Sequence, residues 1–184
     1  MKKITILLVA LFLVPVFASA QPVPHWQQVD EGDNAVAEAI ALRREQKALE
    51  NLSEEGSAFL AKIEYFKSNA ARLIKDEKLT EEKKINFVTQ SLMIEVMDSL
   101  EVYDRVYDKK IEEMSGVLNL AKRAKLAVNY SIERRALLKE LCKPVDGVDW
   151  FAYVTKNIDN MTHYKTVKEP IKEFVTVKLP REIK

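Results

Sequence analysis

Apolar residues recur at steps of three and four between positions 49 and 73, the spacing that places them on one face of an α-helix. The residues on this face are Leu49, Leu52, Gly56, Phe59, Ile63, Phe66, Ala70 and Leu73. Extending the frame backward adds Leu42 and Ala35, with Glu45 and Glu38 as the polar exceptions. An alternation as regular as this is typical of a coiled-coil seam. It predicts a first long helix over residues 33–74.

A second apolar stripe predicts a longer helix that begins after a polar turn at residues 75–80. Thr80 ends this turn, and its hydroxyl oxygen is suited to cap a helix N-terminus. With 100° between successive residues, fifteen apolar and aromatic positions fall on one side of this helix. They are Ile85, Val88, Leu92, Val96, Leu100, Tyr103, Val106, Tyr107, Ile111, Met114, Val117, Leu118, Ala121, Val128 and Ile132. The stripe passes through Gly116 without a change of phase. We therefore expect Gly116 to be a kink or a close-packing point within one helix that ends near Leu141.

A third, shorter helix is predicted after the break that Pro144 and Gly147 make. Asp149 is placed to cap it, and apolar residues follow at steps of four, four and three: Trp150, Val154, Ile158 and Met161. Two long helices joined by a short turn run antiparallel, and the third helix is expected to cover the end of the second that extends past the first. The predicted fold is therefore all-α, a long antiparallel helical hairpin of coiled-coil type with a shorter C-terminal helix.

The last segment of the chain has the alternation of a β-strand. Beyond Pro170, one side carries Val175, Val177 and Leu179, and Pro180 closes the run. The rest of the chain offers no second strand, so we expect an extended tail that docks on a partner by strand addition or as an extended peptide. The predicted partner-binding residues are Phe174, Val175, Val177, Lys178 and Leu179. It is equally open that the tail lies along its own bundle or stays disordered.

The first twenty residues have the pattern of a signal peptide. A basic start at Lys2 and Lys3 precedes a nearly unbroken apolar run over residues 4–17, and the small residues Ala18-Ser19-Ala20 follow. The apolar run is shorter than the ~20 residues that a membrane span needs. We therefore expect cleavage near Ala20, a periplasmic or secreted protein, and no transmembrane segment after cleavage.

These elements divide the chain into four parts. They are a signal peptide over residues 1–20, an extended lead-in with two prolines over 21–32, a single helical domain over 33–165, and the extended tail over 166–184. No internal repeat and no second domain are evident.

Composition and charge exclude several classes of function. The 184 residues include 29 basic and 28 acidic ones, a net charge of +1 that gives no reason to expect nucleic-acid binding. A single cysteine excludes an internal disulfide and a cysteine-based zinc site, and two histidines leave little for metal chemistry. We expect no catalytic residue, no metal and no cofactor.

Charged residues form two faces on the second predicted helix. The acidic face comprises Asp98, Glu101, Asp104, Asp108 and Glu112, and we interpret it as solvated because it lies opposite the apolar stripe. The distal part is basic, with Lys122, Arg123, Lys125, Arg134, Arg135, Lys139 and Lys143. Two interpretations of the basic part stay open: binding of phosphate, an acidic partner or anionic lipid, or internal pairing with carboxylates near the start of the first helix, which are Asp30, Glu31, Asp33 and Glu38.

Cys142 is the only thiol, and no histidine lies near it in sequence to make it a nucleophile. Burial and an intermolecular bridge to another chain are the two alternatives for it, so a homo-oligomer stays open.

Taken together, these features predict an exported, non-enzymatic helical protein that acts through protein–protein interaction. We expect a structural subunit or adaptor of a cell-envelope assembly of the secretion or conjugation type, whose partners are envelope proteins. The alternative is a soluble periplasmic chaperone or stress-responsive binding protein. The segment Leu79-Thr80-Glu81-Glu82 resembles the Leu-Thr-x-x-Gln element of small periplasmic helical chaperones, with Lys83 where that element has glutamine.

Overall fold

The computed structural model describes residues 31–114, 116, 119–163 and 165–184. The chain divides into two compact units, residues 1–37 and residues 38–184. Of the first unit, the described part is the beginning of the first helix. The predicted signal peptide and residues 21–30 of the predicted lead-in lie outside the described residues, and residues 31 and 32 open a helix.

The described residues are mostly helical, which confirms the all-α prediction. They form α1 (Glu31–Glu50), α2 (Glu54–Lys75), α3 (Glu81–Ser91), α4 (Asp98–Glu113), α5 (Leu120–Cys142), α6 (Trp150–Asn157), α7 (Lys165–Glu173) and α8 (Leu179–Glu182). A π-helical stretch, Leu92–Met97, joins α3 to α4, and another, Phe174–Lys178, joins α7 to α8. In none of the described helices is there a stretch with the length and apolarity to cross a membrane.

The predicted first helix is divided in two at residues 51–53. Ser53 has extended backbone angles, and its Oγ accepts a hydrogen bond from the Gly56 backbone N–H at 2.9 Å. Ser53 also donates from its backbone N–H and its Oγ to the carboxylate of Glu133. The continuous seam is therefore wrong at this point, because a capping serine and a carboxylate from α5 start a new helix.

The beginning of the second predicted helix is confirmed. Thr80 caps α3 by accepting a hydrogen bond from the Lys83 backbone N–H at 3.4 Å. The predicted stripe is buried over its first six positions, which are Ile85, Val88, Leu92, Val96, Leu100 and Tyr103. These side chains form one core with Phe59, Ile63 and Phe66 of α2.

Gly116 is not a kink within one helix, and that prediction is wrong. Its φ of +107° is a conformation that side-chain-bearing residues rarely adopt, and it lies between the end of α4 and the start of α5. The two helices run antiparallel, since Tyr103 contacts Glu133 while Tyr107 stacks on Tyr130. The apolar stripe of the sequence does not predict which residues of α5 are buried. Val128, which belongs to the stripe, is 57% exposed, and α5 buries a different set: Ala136, Leu137, Leu138 and Leu141.

The expected extended tail is also wrong, since residues 165–182 are helical throughout. This helix buries four apolar side chains in the core of the second unit: Ile171, Phe174, Val175 and Leu179. Burial of each contributes about 1.5–3 kcal/mol, whereas a proline within a helix costs about 3 kcal/mol. The summed burial therefore exceeds the cost of holding Pro170 inside α7, while Pro180 lies in the first turn of α8, where proline is tolerated.

The third predicted helix is confirmed, together with the break before it. Asp149 caps α6 by accepting a hydrogen bond from the Ala152 backbone N–H at 2.9 Å. Before it, Asp146 and Gly147 both have positive φ in a tight turn that pairs Val145 with Val148. The predicted apolar residues of this helix, Trp150, Val154, Ile158 and Met161, are all buried.

Candidate functional site

A cavity of about 740 Å³ lies between α1, the start of α2, and the α4–α5 hairpin. We call it the tyrosine cavity, because Tyr103, Tyr107 and Tyr130 line it together with Ala48 and Leu52. Its volume falls within the ~300–1,000 Å³ typical of small-molecule sites. All of its lining residues belong to the second unit of the chain.

The three tyrosines form a continuous stack across the hairpin. The ring centroids of Tyr107 and Tyr130 are 3.7 Å apart, and those of Tyr103 and Tyr130 are 5.3 Å apart, with nearly parallel planes in both pairs. Tyr130 donates a hydrogen bond to Asp104. Burial, and after it this bond, raises the pKa of Tyr130 well above its usual value. Stacking across α4 and α5 thus gives the cavity a fixed aromatic wall.

Glu133 lines the cavity, and its carboxylate is fully engaged by the protein. Its carboxylate accepts from the Ser53 backbone N–H at 2.9 Å, the Ser53 Oγ at 2.6 Å and the Tyr103 hydroxyl at 2.8 Å. The pKa of Tyr103 is raised, first by burial and second by its hydrogen bond to Glu133. Because it lies at the N-terminus of α2, the carboxylate also interacts favourably with the positive end of that helix.

The lining of the cavity carries an excess of positive charge. Lys110 is neutralised by Glu55, with 2.8 Å between Nζ and Oε1, and this hydrogen bond is the main cause of the lowered pKa of Glu55. Arg44 and Lys47 also line the cavity, and within the described part of the chain neither forms an ion pair. Three cations therefore face two carboxylates, Glu55 and Glu133, which leaves the lining at +1.

The turn of α1 that contains Ile40 and Leu42 exposes apolar side chains, although the following turn is held to α5 by ion pairs. Ile40 and Leu42 are each 47% exposed. Glu45 is only 7% exposed, and its carboxylate pairs with Lys139 at 2.8 Å and with Arg135 at 3.2 Å. The ion pairs that hold α1 to α5 therefore lie in the second half of α1.

Four of the seven cations in the basic part of the second predicted helix pair internally, but with different carboxylates from those expected. Lys122, Arg123 and Lys125 form no ion pair within the described residues. Arg135 and Lys139 pair with Glu45. Arg134 pairs with Asp104 and Glu182. Glu38, one of the expected partners, is exposed, and the side chains of the other three lie outside the described residues.

The predicted partner-binding residues are divided between core and surface. Phe174, Val175 and Leu179 are at most 4% exposed and belong to the core, so they form no surface in this fold. Val177 is 56% exposed, and Lys178 is exposed and pairs with Glu173. The structure does not bring these five residues together as one face, because a helix places Val177 opposite Val175 and Leu179.

Cys142 is half-buried against the core. Burial, and after it the nearby carboxylate of Asp149, raises the pKa of its thiol to about 11. The thiol is therefore protonated at neutral pH, a state unsuited to nucleophilic chemistry.

Of the predicted acidic face, Asp98, Glu101, Asp108 and Glu112 are exposed, and Asp104 is partly buried in its pair with Arg134. Across the residues that the structure describes, no three His, Cys, Asp or Glu side chains are grouped so as to hold a metal ion.

Sequence reasoning did not identify the tyrosine cavity. A signal was present, since Tyr103 and Tyr107 lie four residues apart and so share one helix face. Their third partner, Tyr130, is identifiable only once the turn at Gly116 brings α5 back against α4. Comparison of the chain with protein-family models, curated proteins and solved structures gives no match.

Proposed function

We propose that this chain is an exported, non-enzymatic helical protein that acts through protein–protein interaction, as a structural subunit or adaptor of a cell-envelope assembly of the secretion or conjugation type. The observation that carries the proposal is the exposure of Ile40 and Leu42 on α1. A contiguous group of exposed apolar side chains, unlike a single one, is typical of a surface that a partner covers.

The sequence of this turn supports a partner that surrounds it. Ala39, Ile40, Ala41 and Leu42 are four consecutive apolar residues, so they point in every direction around the helix axis. A helix that is apolar all round is usual in the interior of a bundle. The partner we propose is therefore another helical protein with an apolar face, and Arg43 beside this turn favours carboxylates at the border of that face.

Export is the second part of the proposal, and it rests on the sequence of residues 1–20. A basic start, an apolar run too short to span a bilayer and an Ala-x-Ala end are the three features that signal peptides share. An envelope partner follows from export, because a chain delivered across the inner membrane meets its partners there.

The experiment is site-specific photocrosslinking in the cell of origin. A photoreactive phenylalanine analogue placed at Ile40 should crosslink one defined envelope protein, which mass spectrometry identifies. Tyr65 is the control site, since it is 57% exposed on α2 and far in sequence from the proposed surface. Crosslinking of the same protein from both positions, or of none from Ile40, would contradict the proposal.

A variant tests whether the apolar side chains themselves bind the partner. Ile40→Ser with Leu42→Ser should abolish the crosslink from a probe at Ala39 while leaving the melting temperature nearly unchanged, because neither side chain belongs to the core. Crosslinks to many unrelated unfolded proteins would instead support the alternative of a periplasmic chaperone.

A further inference from the structure

The tyrosine cavity has the features of a ligand site that the proposed partner contact on α1 does not use. It is large enough for a small molecule, and its lining combines stacked tyrosine rings with the cations Arg44 and Lys47. The partner contact proposed above involves Ile40 and Leu42, and neither of these lines the cavity. The two sites can therefore be tested separately.

The polar groups of the cavity differ in whether they are free to bind a ligand. Glu133 is engaged by Ser53 and Tyr103, and Lys110 is engaged by Glu55. Arg44 and Lys47 have no ion-pair partner among the described residues. They lie three residues apart on α1, so both side chains leave the same face of the helix.

The remaining polar group of the tyrosine stack is also unused. The hydroxyls of Tyr103 and Tyr130 are bound to Glu133 and Asp104. The Tyr107 hydroxyl forms no hydrogen bond within the part of the chain that the structure describes. It offers a donor beside the aromatic wall, and Arg44 and Lys47 are the two lining cations without a counter-ion among the described residues.

We propose that the tyrosine cavity binds a small amphipathic anion, with a planar apolar body against the tyrosine wall and its anionic group held by Arg44 and Lys47. The apolar lining and the ring stack favour the body, since aromatic side chains pack well against planar ligands. The net positive charge of the lining favours the anion, because charge-assisted hydrogen bonds from Arg and Lys are the strong ones.

The test uses two dyes that differ by one charged group. The first is 8-anilinonaphthalene-1-sulfonate, an aromatic anion, and the second is N-phenyl-1-naphthylamine, which has the same ring system without the sulfonate. Fluorescence titration of the purified protein, with calorimetry for stoichiometry, should show saturable binding of the anion at one site per chain. The uncharged dye should bind about tenfold more weakly or worse.

Substitutions then locate the site. Arg44→Gln with Lys47→Gln should weaken binding of the anionic dye about tenfold or more and leave the uncharged dye within about twofold. Arg43→Gln is the matched control, since Arg43 is the exposed neighbour of Arg44 on α1 and does not line the cavity. Ala48→Trp, which fills the cavity from α1, should abolish binding of both dyes, and an unchanged melting curve shows that the variant is folded.

Three results would overturn the proposal. Binding of both dyes with equal affinity would show an apolar cavity without anion recognition. Equal loss of anion binding in Arg43→Gln and in the Arg44 and Lys47 double variant would show a general charge effect. Loss of dye binding as the protein concentration rises, with a dimer in sedimentation, would assign the cavity to a second copy of the chain.

Discussion

The carboxylate of Glu133 connects three helices through a group of three hydrogen bonds. It reaches the N-terminus of α2 at Ser53 and the hydroxyl of Tyr103 on α4, while its own backbone belongs to α5. Gly56 makes this approach possible, because a Cβ atom there would lie 2.4 Å from Glu133 Oε1. The glycine is therefore required by the close approach of another side chain.

Gly56→Ala is expected to destabilise the protein by about 1–2 kcal/mol, because the carboxylate must move and lose hydrogen bonds to groups that are partly buried. Alanine otherwise stabilises a helix by up to about 1 kcal/mol relative to glycine. The control is the same substitution in a Glu133→Ala background, where it should become neutral or stabilising. Urea unfolding of the four proteins measures both signs, and destabilisation of equal size in both backgrounds would contradict the explanation.

Gly116→Ala is expected to destabilise by about 1–2 kcal/mol for a different reason. A Cβ at Gly116 would meet nothing within 4 Å, so the backbone alone opposes the substitution, through its φ of +107°. Thermal or urea unfolding measures the effect. A neutral or stabilising result would favour the continuous helix that the apolar stripe indicates, in which alanine is the better residue.

At the scale of elements, the C-terminal segment shows two periodicities competing for the same residues. Val175, Val177 and Leu179 alternate as a strand does, yet they lie in a helix. Ile171, Val175 and Leu179 are spaced by four, and this spacing is the one that the structure buries. No other described segment offers a strand to pair with, so burial of the helical face determines the outcome.

Leu179→Ala and Val177→Ala distinguish the two periodicities. Leu179 is fully buried, so its substitution should cost about 2–5 kcal/mol. Val177 is 56% exposed, so its substitution should change the free energy of unfolding by about 0.5 kcal/mol or less. A strand that buried both residues on one face would make the two losses similar. Urea unfolding of the two variants beside the original chain decides between them.

At the scale of the whole molecule, the proposed export implies that the mature chain is shorter than the sequence. We expect the protein from the envelope fraction to begin at Gln21, because Ala18-Ser19-Ala20 ends the apolar run with small residues. N-terminal sequencing of that fraction is the measurement. Met1 retained on protein in the membrane pellet would contradict a cleaved signal peptide.

Alkaline pH should destabilise the protein through its buried phenols. The pKa of Tyr103 and of Tyr130 is raised by burial first and by hydrogen bonds to carboxylates second. The ordinary tyrosine value is 10.0, so above about pH 10 the unfolded chain releases phenolic protons that the folded chain retains. The contribution of these phenols to the free energy of unfolding should therefore be constant below about pH 9 and fall as the pH rises further.

Urea unfolding between pH 8 and pH 11 measures this fall, and absorbance near 295 nm reports tyrosinate. A single group contributes at most about 1.4 kcal/mol per pH unit. Tyr103→Phe removes one phenol and should make the decline shallower. Ionisation of all tyrosines before any loss of structure would show that the phenols are not protected by the fold.

The sequence alone was sufficient for the features that depend on local chemistry. The caps at Thr80 and Asp149, the turn between α2 and α3 and the buried stripe from Ile85 to Tyr103 all follow from hydrogen-bonding side chains and helical spacing within a few residues. The all-α class follows in the same way, from the propensities of a chain with four glycines and six prolines.

Tertiary structure decided where helices stop and which apolar residues are covered. A hydrophobic stripe shows that a side chain is suited to burial, but a partner element determines whether it is buried. Glu133 divides the predicted first helix at Ser53, the turn at Gly116 brings Tyr130 onto Tyr107, and the core accepts Leu179 while it leaves Val177 exposed. Each outcome depends on contacts between residues far apart in sequence. The free energy of these contacts exceeds the local preference of each segment for another conformation.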